Sequence, residues 1–442
     1  MKLLHSRIFL FAVMALLLIA TGLVQSWSVV TTILNLCLIS AIMSLGVNIQ
    51  WGYAGLVNFG VMGFCAVGGM AVVLVAEPPV GAAWSAGGRG IAISAFIVAV
   101  AIAACLVVAR KLKLRTRLKQ LVLAAIIMIA IFLLKQVFGP ATEAIEAVDP
   151  SLSGYLGGLG LPILASWIVA PVLAAGVAWL VGKAALGLRT DYLAIATFGI
   201  SEILVTLVRN EDWLTRGVKN VVGLPRPAPY EIDLQQAIWF QHLAAGLGQP
   251  VDGFSTIFVK LCFAALFIPV LALLMWLSES ALNSPWGRMM RAVRDNEVAA
   301  NAMGKDIKKI HLTVFVLGAA VIGLGGAMLV TLDGQFTPSS YQPQRFTFLI
   351  WIMMIIGGSG NNWGAVLGGF LIWFCWVEAE PAGVWLLDLL TRGLGEQSEL
   401  RHHLLANASQ MRLVVMGVVL LVVLRFMPRG LIPEKRGQSF SD

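Results

Sequence analysis

The chain has 442 residues, of which 59% are hydrophobic and only 12% carry a charged side chain. A soluble domain contains about 25% charged residues, so this composition excludes an ordinary soluble protein and predicts many membrane spans. The formal net charge of +8 does not indicate a nucleic-acid partner, because Lys and Arg collect in the cytoplasmic loops of membrane proteins.

The residues that bind metals or nucleotides form no recognisable pattern. All five cysteines lie in apolar runs without a CxxC motif, and the five histidines are scattered apart from the pair His402 and His403. No GxxxxGK[ST] motif is present, and that motif is what cradles phosphates in many ATPases. We therefore predict no catalytic residue, no metal site and no cofactor, and we expect any ATP that drives this protein to be bound by another polypeptide.

Taken in chain order, the first two apolar runs, at about 8–23 and 29–49, predict spans that begin from a cytoplasmic amino terminus. A glycine-rich third span is expected at 48–70, where six glycines permit close helix packing or a local break. Three polar side chains in this segment need partners inside a bundle: Asn48, Tyr53 and Asn58. Two interpretations stay open, namely packing alone and packing that also lines a pathway.

Two more apolar runs, at about 91–109 and ending near 134, enclose the strongly basic stretch RKLKLRTRLK at 110–119. Six basic residues without an acid predict a cytoplasmic loop that contacts anionic lipid. The following acidic stretch, 143–149, is expected on the outside. A sixth span should end near Lys183.

The next span begins in GLRTDYLAIATFGISEI, which starts at Gly187. Asp191 is expected at the cytoplasmic mouth, and Glu202 lies eleven residues further, about 16 Å along a helix. A carboxyl group at that depth is costly and should face the bundle interior. The polar loop at 210–253 is external by parity, where it suits either docking of a solute-binding protein or simple solvation.

After a span at about 254–277, the polar stretch 283–311 predicts two short helices on the cytoplasmic membrane surface. Ser284 caps the first helix, with Pro285 in its first turn. Arg291 and Asp295 have the spacing of an ion pair, and Gly304 is a natural end for the second helix. An apolar stripe at helical spacing is formed by Trp286, Met289, Met290 and Val293. Such a unit lies on the membrane and offers a surface to a partner.

The remaining spans are expected at about 311–332, 346–374 and 411–424. Glycines and asparagines at 357–362 divide the second of these runs, which predicts either two full spans or a re-entrant pair. The chain is thus predicted to be one all-α polytopic inner-membrane domain, residues 1–442, with about 10–12 transmembrane or re-entrant helices. Both termini are expected in the cytoplasm, and this map places 20 of the 31 Lys and Arg residues there.

Several stretches carry a family resemblance. Glu297, Ala299, Ala300 and Gly304 resemble the E-A-A…G loop by which permeases of ABC importers dock on ATP-binding subunits. This loop, GYAGL at 52–56, GLRTDYLAI at 187–195 and GGSGNNWGAVLGG at 357–369 together resemble the LivM-type permeases for branched-chain amino acids. Compared with that family, the region 100–160 reads as an inserted helical hairpin.

The resemblance implies a translocating subunit without enzymatic activity, which works with two ATP-binding subunits, a second permease and a periplasmic solute-binding protein. The residues implied in coupling to the ATPases are Arg291, Arg294, Glu297, Ala299, Ala300 and Gly304. The candidates for the translocation path are Asn48, Tyr53, Asn58, Asp191, Glu202, Gly358 and Gly360.

Three alternative functions stand beside this one. Close relatives of the family carry urea and short amides, so these remain candidate substrates. An ion-coupled secondary transporter would require intramembrane titratable pairs, for which Glu202 alone gives thin support. A membrane-embedded enzyme would need clustered His, Asp or Glu residues near one face, and the sequence has no such cluster.

Overall fold

The computed structural model describes residues 7–110, 116–149, 154–391 and 398–434. Within these residues, ten helices are long and apolar enough to cross a membrane, and two further apolar helices are shorter. The prediction of an all-α polytopic protein is therefore confirmed.

The helices follow one another with short connections. The first seven are α1 (Arg7–Val24), α2 (Trp27–Val47), α3 (Val61–Ala76), α4 (Gly81–Arg110), α5 (Thr116–Glu146), α6 (Ile163–Ala185) and α7 (Thr190–Asn210). Three short helices, α8 (Asp212–Thr215), α9 (Glu231–Gln236) and α10 (Ile238–Gly246), precede the long α11 (Val251–Asn283). The rest are α12 (Pro285–Asp295), α13 (Glu297–Ala302), α14 (Ile307–Asp333), α15 (Pro343–Gly357), α16 (Asn362–Thr391), α17 (Glu399–Ala406) and α18 (Met411–Phe426).

The short elements lie at opposite ends of the bundle. At one end, called the α8 end, the two-residue strands β1 (Val221–Val222) and β2 (Gln335–Phe336) pair antiparallel. At this end Arg209 of α7 donates hydrogen bonds to the carbonyl groups of Pro338 and Tyr341. Helices α12 and α13 connect α11 to α14 at the other end, called the α12 end.

Glycines bring three central helices into backbone contact. A Cβ atom added to Gly68 of α3 would lie 1.9 Å from the carbonyl oxygen of Gly323 in α14. A Cβ atom on Gly326 would lie 2.1 Å from the carbonyl oxygen of Cys65, and one on Gly46 of α2 would lie 2.8 Å from a carbonyl oxygen of α14. Helices in lipid gain no hydrophobic energy from meeting each other, so such close packing is a main source of their association.

The predicted third span at 48–70 is wrong in its bounds. Helix α2 ends in a π-helical turn, Asn48–Gly52, and the chain leaves the helical conformation near Gly55 (φ +69°). Helix α3 begins only at Val61 and has 16 residues, about 24 Å, which is shorter than the roughly 30 Å hydrocarbon core. The glycines permitted either a helix break or close packing, and this segment shows both. The helix is interrupted first, and α3 then packs closely on its neighbours.

The divided run at 346–374 forms one short and one long helix. Helix α15 has 15 residues and α16 has 30, and they pack antiparallel, with Gly368 against the carbonyl group of Met353. The turn between them contains Gly358 (φ +119°) and Gly360 (φ +78°), both in conformations that favour glycine.

Helices α4 and α5 pack mainly on each other. Gly90 of α4 lies against Ala141 of α5, and Phe138 meets Trp213 of α8 edge-on at 5.4 Å between ring centroids. Most of their large side chains are exposed, as Met128 is. Helix α4 begins ten residues before the predicted span at 91–109. Residues 111–115, half of the predicted basic loop 110–119, lie outside the described residues, and residues 116–119 form the first turn of α5.

We predict that Gly68→Val destabilises the bundle, because its Cβ atom has no room beside the α14 backbone. Overpacking of this kind costs about 1–3 kcal/mol. The control is Gly176→Val in α6, where an added Cβ atom meets nothing within 4 Å. Thermal unfolding of the purified protein should show a lower midpoint for Gly68→Val only. Equal midpoints for both variants would contradict the assignment of Gly68 to a close contact.

Candidate functional site

Helix α12 begins as the sequence predicts. Ser284 accepts a hydrogen bond from the backbone N–H of Gly287 at 3.4 Å, and Pro285 is the first helical residue. Met290 and Val293 are fully buried beneath the helix, and the rest of the predicted stripe is partly buried against the core. The apolar stripe thus packs α12 against the bundle.

Helix α13 has an exposed side that faces away from the bundle. Asn296 caps the helix by accepting from the N–H of Ala299 at 2.9 Å, and Gly304 takes the left-handed conformation with φ +75°. Val298 and Met303 are 80% and 81% exposed. Two large apolar side chains exposed beside a helix end form the kind of surface that partners cover.

The coupling residues implied by the family resemblance divide between two faces. Glu297 and Ala299 are exposed, and Gly304 borders open space. Ala300 is buried against the bundle, and Arg294 also turns inward. Glu297, Ala299 and Gly304 are thus accessible to a partner subunit, Arg291 is partly exposed, and the coupling role of all six residues stays a prediction.

The predicted ion pair between Arg291 and Asp295 is wrong. Asp295 pairs with Arg294 at 3.2 Å, whereas Arg291 donates to the carbonyl oxygen of Leu282 at 3.3 Å. Asp295 is the last residue of α12, and the next residue is already extended. The helical i,i+4 rule therefore applies poorly at this position.

Arg294 anchors α12 to distant parts of the chain. Its Nη1 atom donates to the carbonyl oxygen of Gly52 and lies 3.0 Å from Glu434 Oε2, while Nη2 donates to Glu434 Oε1 at 3.3 Å. Burial lowers the pKa of Arg294, but its bonds to Glu434 and Asp295 outweigh burial and raise the pKa above its ordinary value. The guanidinium group therefore stays charged. Two of its nitrogen atoms contact the two carboxylate oxygens of Glu434, so the contact is bidentate.

The segment that Arg294 contacts is joined to the turn between α15 and α16. Asn48 accepts a hydrogen bond from the N–H of Gly360 at 2.9 Å and donates to Asn362 Oδ1 at 3.2 Å. Tyr53 also donates to Asn362. The two non-helical segments of the membrane domain thus share one buried hydrogen-bond network, and α12 is bonded to its edge.

The other predicted polar residue of this segment has its own partners. Asn58 donates to Gln50 Oε1 at 2.8 Å and accepts from the N–H of Gly60 at 2.7 Å. Gln50, which the sequence reasoning did not single out, donates to the carbonyl oxygen of Phe315 in α14 at 2.8 Å. Asn48, Tyr53 and Asn58 are all buried, so their need for internal partners is met. Their place on a solute path stays a prediction.

A cleft of about 680 Å³ lies at the α12 end between the start of α7 and helices α13 and α14. Glu297 and Arg189 line it, and the exposed Asp191 lies two residues beyond Arg189 in the chain. His311 is buried in the first turns of α14, with Nε2 3.7 Å from Glu297 Oε1. Helix α13 and the beginning of α7 thus face each other across this cleft.

Glu202 lies in a second cleft, of about 800 Å³, at the α8 end. The side chain is partly buried, and it has no hydrogen-bond or ion-pair partner among the described residues. Arg209, Arg345 and Arg412 line the same cleft. Arg345 stacks over the Trp376 ring at 4.7 Å, so its guanidinium group is held beside the opening. Glu202 therefore faces a polar, cationic space, and its role in transport remains a prediction.

Comparison with known sequences agrees with these features. A family model described as branched-chain amino acid transport system / permease component matches residues 29–150 and 144–424. The two matched stretches overlap at residues 144–150 and together cover most of the chain, including α4 and α5. No solved structure matches the chain.

Three relatives have related descriptions. The high-affinity branched-chain amino acid transport system permease proteins LivM of Escherichia coli and Salmonella typhimurium are each 26% identical over 304 residues, which is 67% of this chain and 63% of each relative. A probable branched-chain amino acid transport permease protein LivM of Methanocaldococcus jannaschii is 28% identical over 299 residues, covering 66% of this chain and 75% of that protein. The chain thus spans less than two thirds of the two bacterial relatives.

We predict that Arg294→Met loosens α12 from the bundle. The variant keeps the apolar stem but loses the charged hydrogen bonds, which are worth about 1.5–3 kcal/mol. The control is Arg288→Met, because Arg288 is exposed on the same helix. Hydrogen exchange should quicken at 285–302 in Arg294→Met and stay unchanged in the control. Unchanged exchange in both variants would show that Arg294 is not an anchor.

Proposed function

The chain belongs to the family of permease components of branched-chain amino acid transport systems, and from this premise we propose that it is the transmembrane permease subunit of an ABC importer for branched-chain amino acids. It contributes helices to the translocation path and performs no covalent chemistry. ATP is hydrolysed by separate subunits. We further propose that the subunit is a multi-pass protein of the cell inner membrane.

One observation carries this proposal: a capped, amphipathic helix pair fastened to one end of the bundle with an exposed apolar surface. Val298 and Met303 project from α13 beside the left-handed Gly304. Behind this surface, Arg294 joins α12 to the polar network at Asn48 and Gly360. A partner that moves α12 and α13 would act directly on the two non-helical segments. ATP hydrolysis elsewhere can change this subunit only through contacts that differ between two states.

The proposed assembly assigns each end of the bundle to one side of the membrane. We place the α12 end in the cytoplasm, where two ATP-binding subunits dock, one of them on α13. The α8 end then faces the outside, and α8 to α10 in the loop 210–253 offer a surface for a periplasmic solute-binding protein. A second permease subunit completes the path, and this partner is expected to be a different polypeptide.

The hairpin of α4 and α5 is proposed to be an insertion at the bundle periphery. It covers residues 81–146 and therefore begins about 20 residues before the region predicted at about 100–160. One observation supports this proposal: the hairpin packs on itself and reaches the remaining helices chiefly through Trp213 of α8. The transport function is therefore assigned to the other helices.

The test of the function is uptake by the complete complex reconstituted in ATP-loaded vesicles. We expect leucine to enter when ATP and the binding protein are present, and to enter equally when a proton uncoupler is added. Loss of uptake with the uncoupler would instead indicate an ion-coupled transporter. Uptake of urea without leucine would replace the proposed substrate with the alternative from the same family.

We predict that Gly304→Val abolishes most ATP-driven uptake while the subunit still inserts and folds. The left-handed conformation strains a β-branched residue by about 1–2 kcal/mol, and the new side chain would stand in the open space where the ATPase docks.

The matched control is Gly160→Val, since Gly160 also has a positive φ (+65°) and no neighbouring atom closer than 3.6 Å to an added Cβ atom, but lies at the α8 end outside the loop 210–253. Uptake, ATPase stimulation and co-purification of the ATPase subunits should be measured for both variants. Normal transport by Gly304→Val would show that α13 is only a connecting loop.

A further inference from the structure

The segment that follows α18, residues 427–434, is bonded to the turn between α15 and α16. We call this segment the α18 extension. The N–H groups of Leu431 and Ile432 donate to the carbonyl oxygens of Ile356 and Gly357 at 2.8 Å and 2.9 Å. These carbonyl groups stand at the end of α15, where a helix has no internal partner for them. The α18 extension therefore caps α15.

The α18 extension also packs tightly on the turn itself. Gly430 is buried with φ +79°, and a Cβ atom added to it would lie 2.4 Å from the Cα atom of Gly358. Asn361 donates to the carbonyl oxygen of Pro433 at 3.2 Å and accepts from the N–H of Trp363, at the start of α16, at 3.1 Å. Contacts on both sides of the turn thus hold the extension to it.

The α18 extension is stiff. Pro428 and Pro433 each fix the backbone angle φ, and the residue before a proline is restricted to extended conformations, which applies to Ile432. The Ile432 side chain is buried in a small cluster with Met14 of α1 and Leu367 of α16. A segment with so little freedom moves together with the turn and the helices that it touches.

Glu434 connects this stiff segment to α12. Both of its carboxylate oxygens contact Arg294, and the two side chains are only 20% and 24% exposed. A Cβ atom added to Gly360 would lie 2.9 Å from Glu434 Oε2, so the glycine leaves the space that the carboxylate occupies. Partly buried charge pairs are screened much less by salt than exposed pairs. Helix α12 packs mainly on α11 and α13, so the pair gives it a strong contact with the turn.

We propose that Glu434 is a positioning residue for transport, which passes movement of α12 through the α18 extension to the turn between α15 and α16. The inference rests on the proposed function and deepens it, because it adds a second route beside the contact of Arg294 with Gly52. The cap on α15 requires the backbone groups of Leu431 and Ile432, but it does not require a carboxylate at Arg294. Capping alone therefore leaves the position of Glu434 unexplained.

The experiment measures how many leucine molecules are imported for each ATP hydrolysed by the complete reconstituted complex with its binding protein. Glu434→Ala should lower this ratio about tenfold, since loss of a charged hydrogen bond shifts an equilibrium by roughly that factor. The ATPase subunits should still co-purify and hydrolyse ATP. The control is Arg429→Ala, whose exposed side chain lies in the same extension; it should keep the ratio.

The ratio distinguishes positioning from a structural defect. A smaller amount of folded complex lowers uptake and hydrolysis in proportion, so it leaves the ratio unchanged. Hydrogen exchange at Leu431 and Ile432 should stay slow in Glu434→Ala, because their bonds to α15 remain. Fast exchange there would show that Glu434 only holds the extension in place, and would overturn its assignment as the link.

A double variant tests whether Glu434 acts through Arg294. If the two residues form one link, Arg294→Met combined with Glu434→Ala should lower the ratio no further than Arg294→Met alone. A further tenfold fall in the double variant would show that Glu434 acts through another contact, and would contradict the proposal.

The outcomes separate the link from the function. If the wild-type complex couples ATP hydrolysis to leucine uptake and Glu434→Ala keeps the ratio, the link is wrong and the proposed function stands. If the wild-type complex imports urea instead of leucine, the proposed substrate fails, and the same ratio measured with urea tests the link. If wild-type uptake does not depend on ATP, both proposals fail.

Discussion

The structure depends on one requirement: every backbone N–H and C=O group at membrane depth needs a partner within the protein. The chain leaves the helical conformation at two buried places in the described bundle, after Gly52 and again at Gly358. Side chains replace the missing helical bonds. Asn48 binds the N–H of Gly360, and Thr197 and Ser201 of α7 accept from backbone N–H groups at the start of α3. The polar residues in these apolar runs are therefore what allows the helices to be broken.

The same network explains how a surface helix can influence the interior. Arg294 reaches from α12 to the carbonyl group of Gly52, at the end of the π-helical turn that Asn48 opens. A displacement of α12 must therefore either break a charged contact or carry that backbone with it. Because Glu434 holds the other side of the guanidinium group, the anchor ties three remote segments of the chain together.

Features set by local chemistry were predictable from the sequence. The caps of α12 and α13, the apolar stripe and the left-handed Gly304 follow from neighbouring residues, and each is present. The partner of Arg294 was not predictable, since Glu434 is 140 residues away and a nearer acid fits the helical spacing. The glycine-rich segment was compatible with a helix break or with close packing. Only the position of α14 shows which residues are non-helical and which pack closely.

The hairpin of α4 and α5 has a consequence for how the protein senses its membrane. These helices contain 30 and 31 residues, about 45 Å each, and therefore exceed the hydrocarbon thickness unless they tilt or emerge from it. The short α3 is almost entirely buried among the helices around it. Helices α11 and α16, with 33 and 30 residues, are as long as the hairpin helices and also expose apolar side chains. Hydrophobic mismatch is thus shared by these long helices, and a membrane of different thickness would change their tilt before it disturbed the packing of α3.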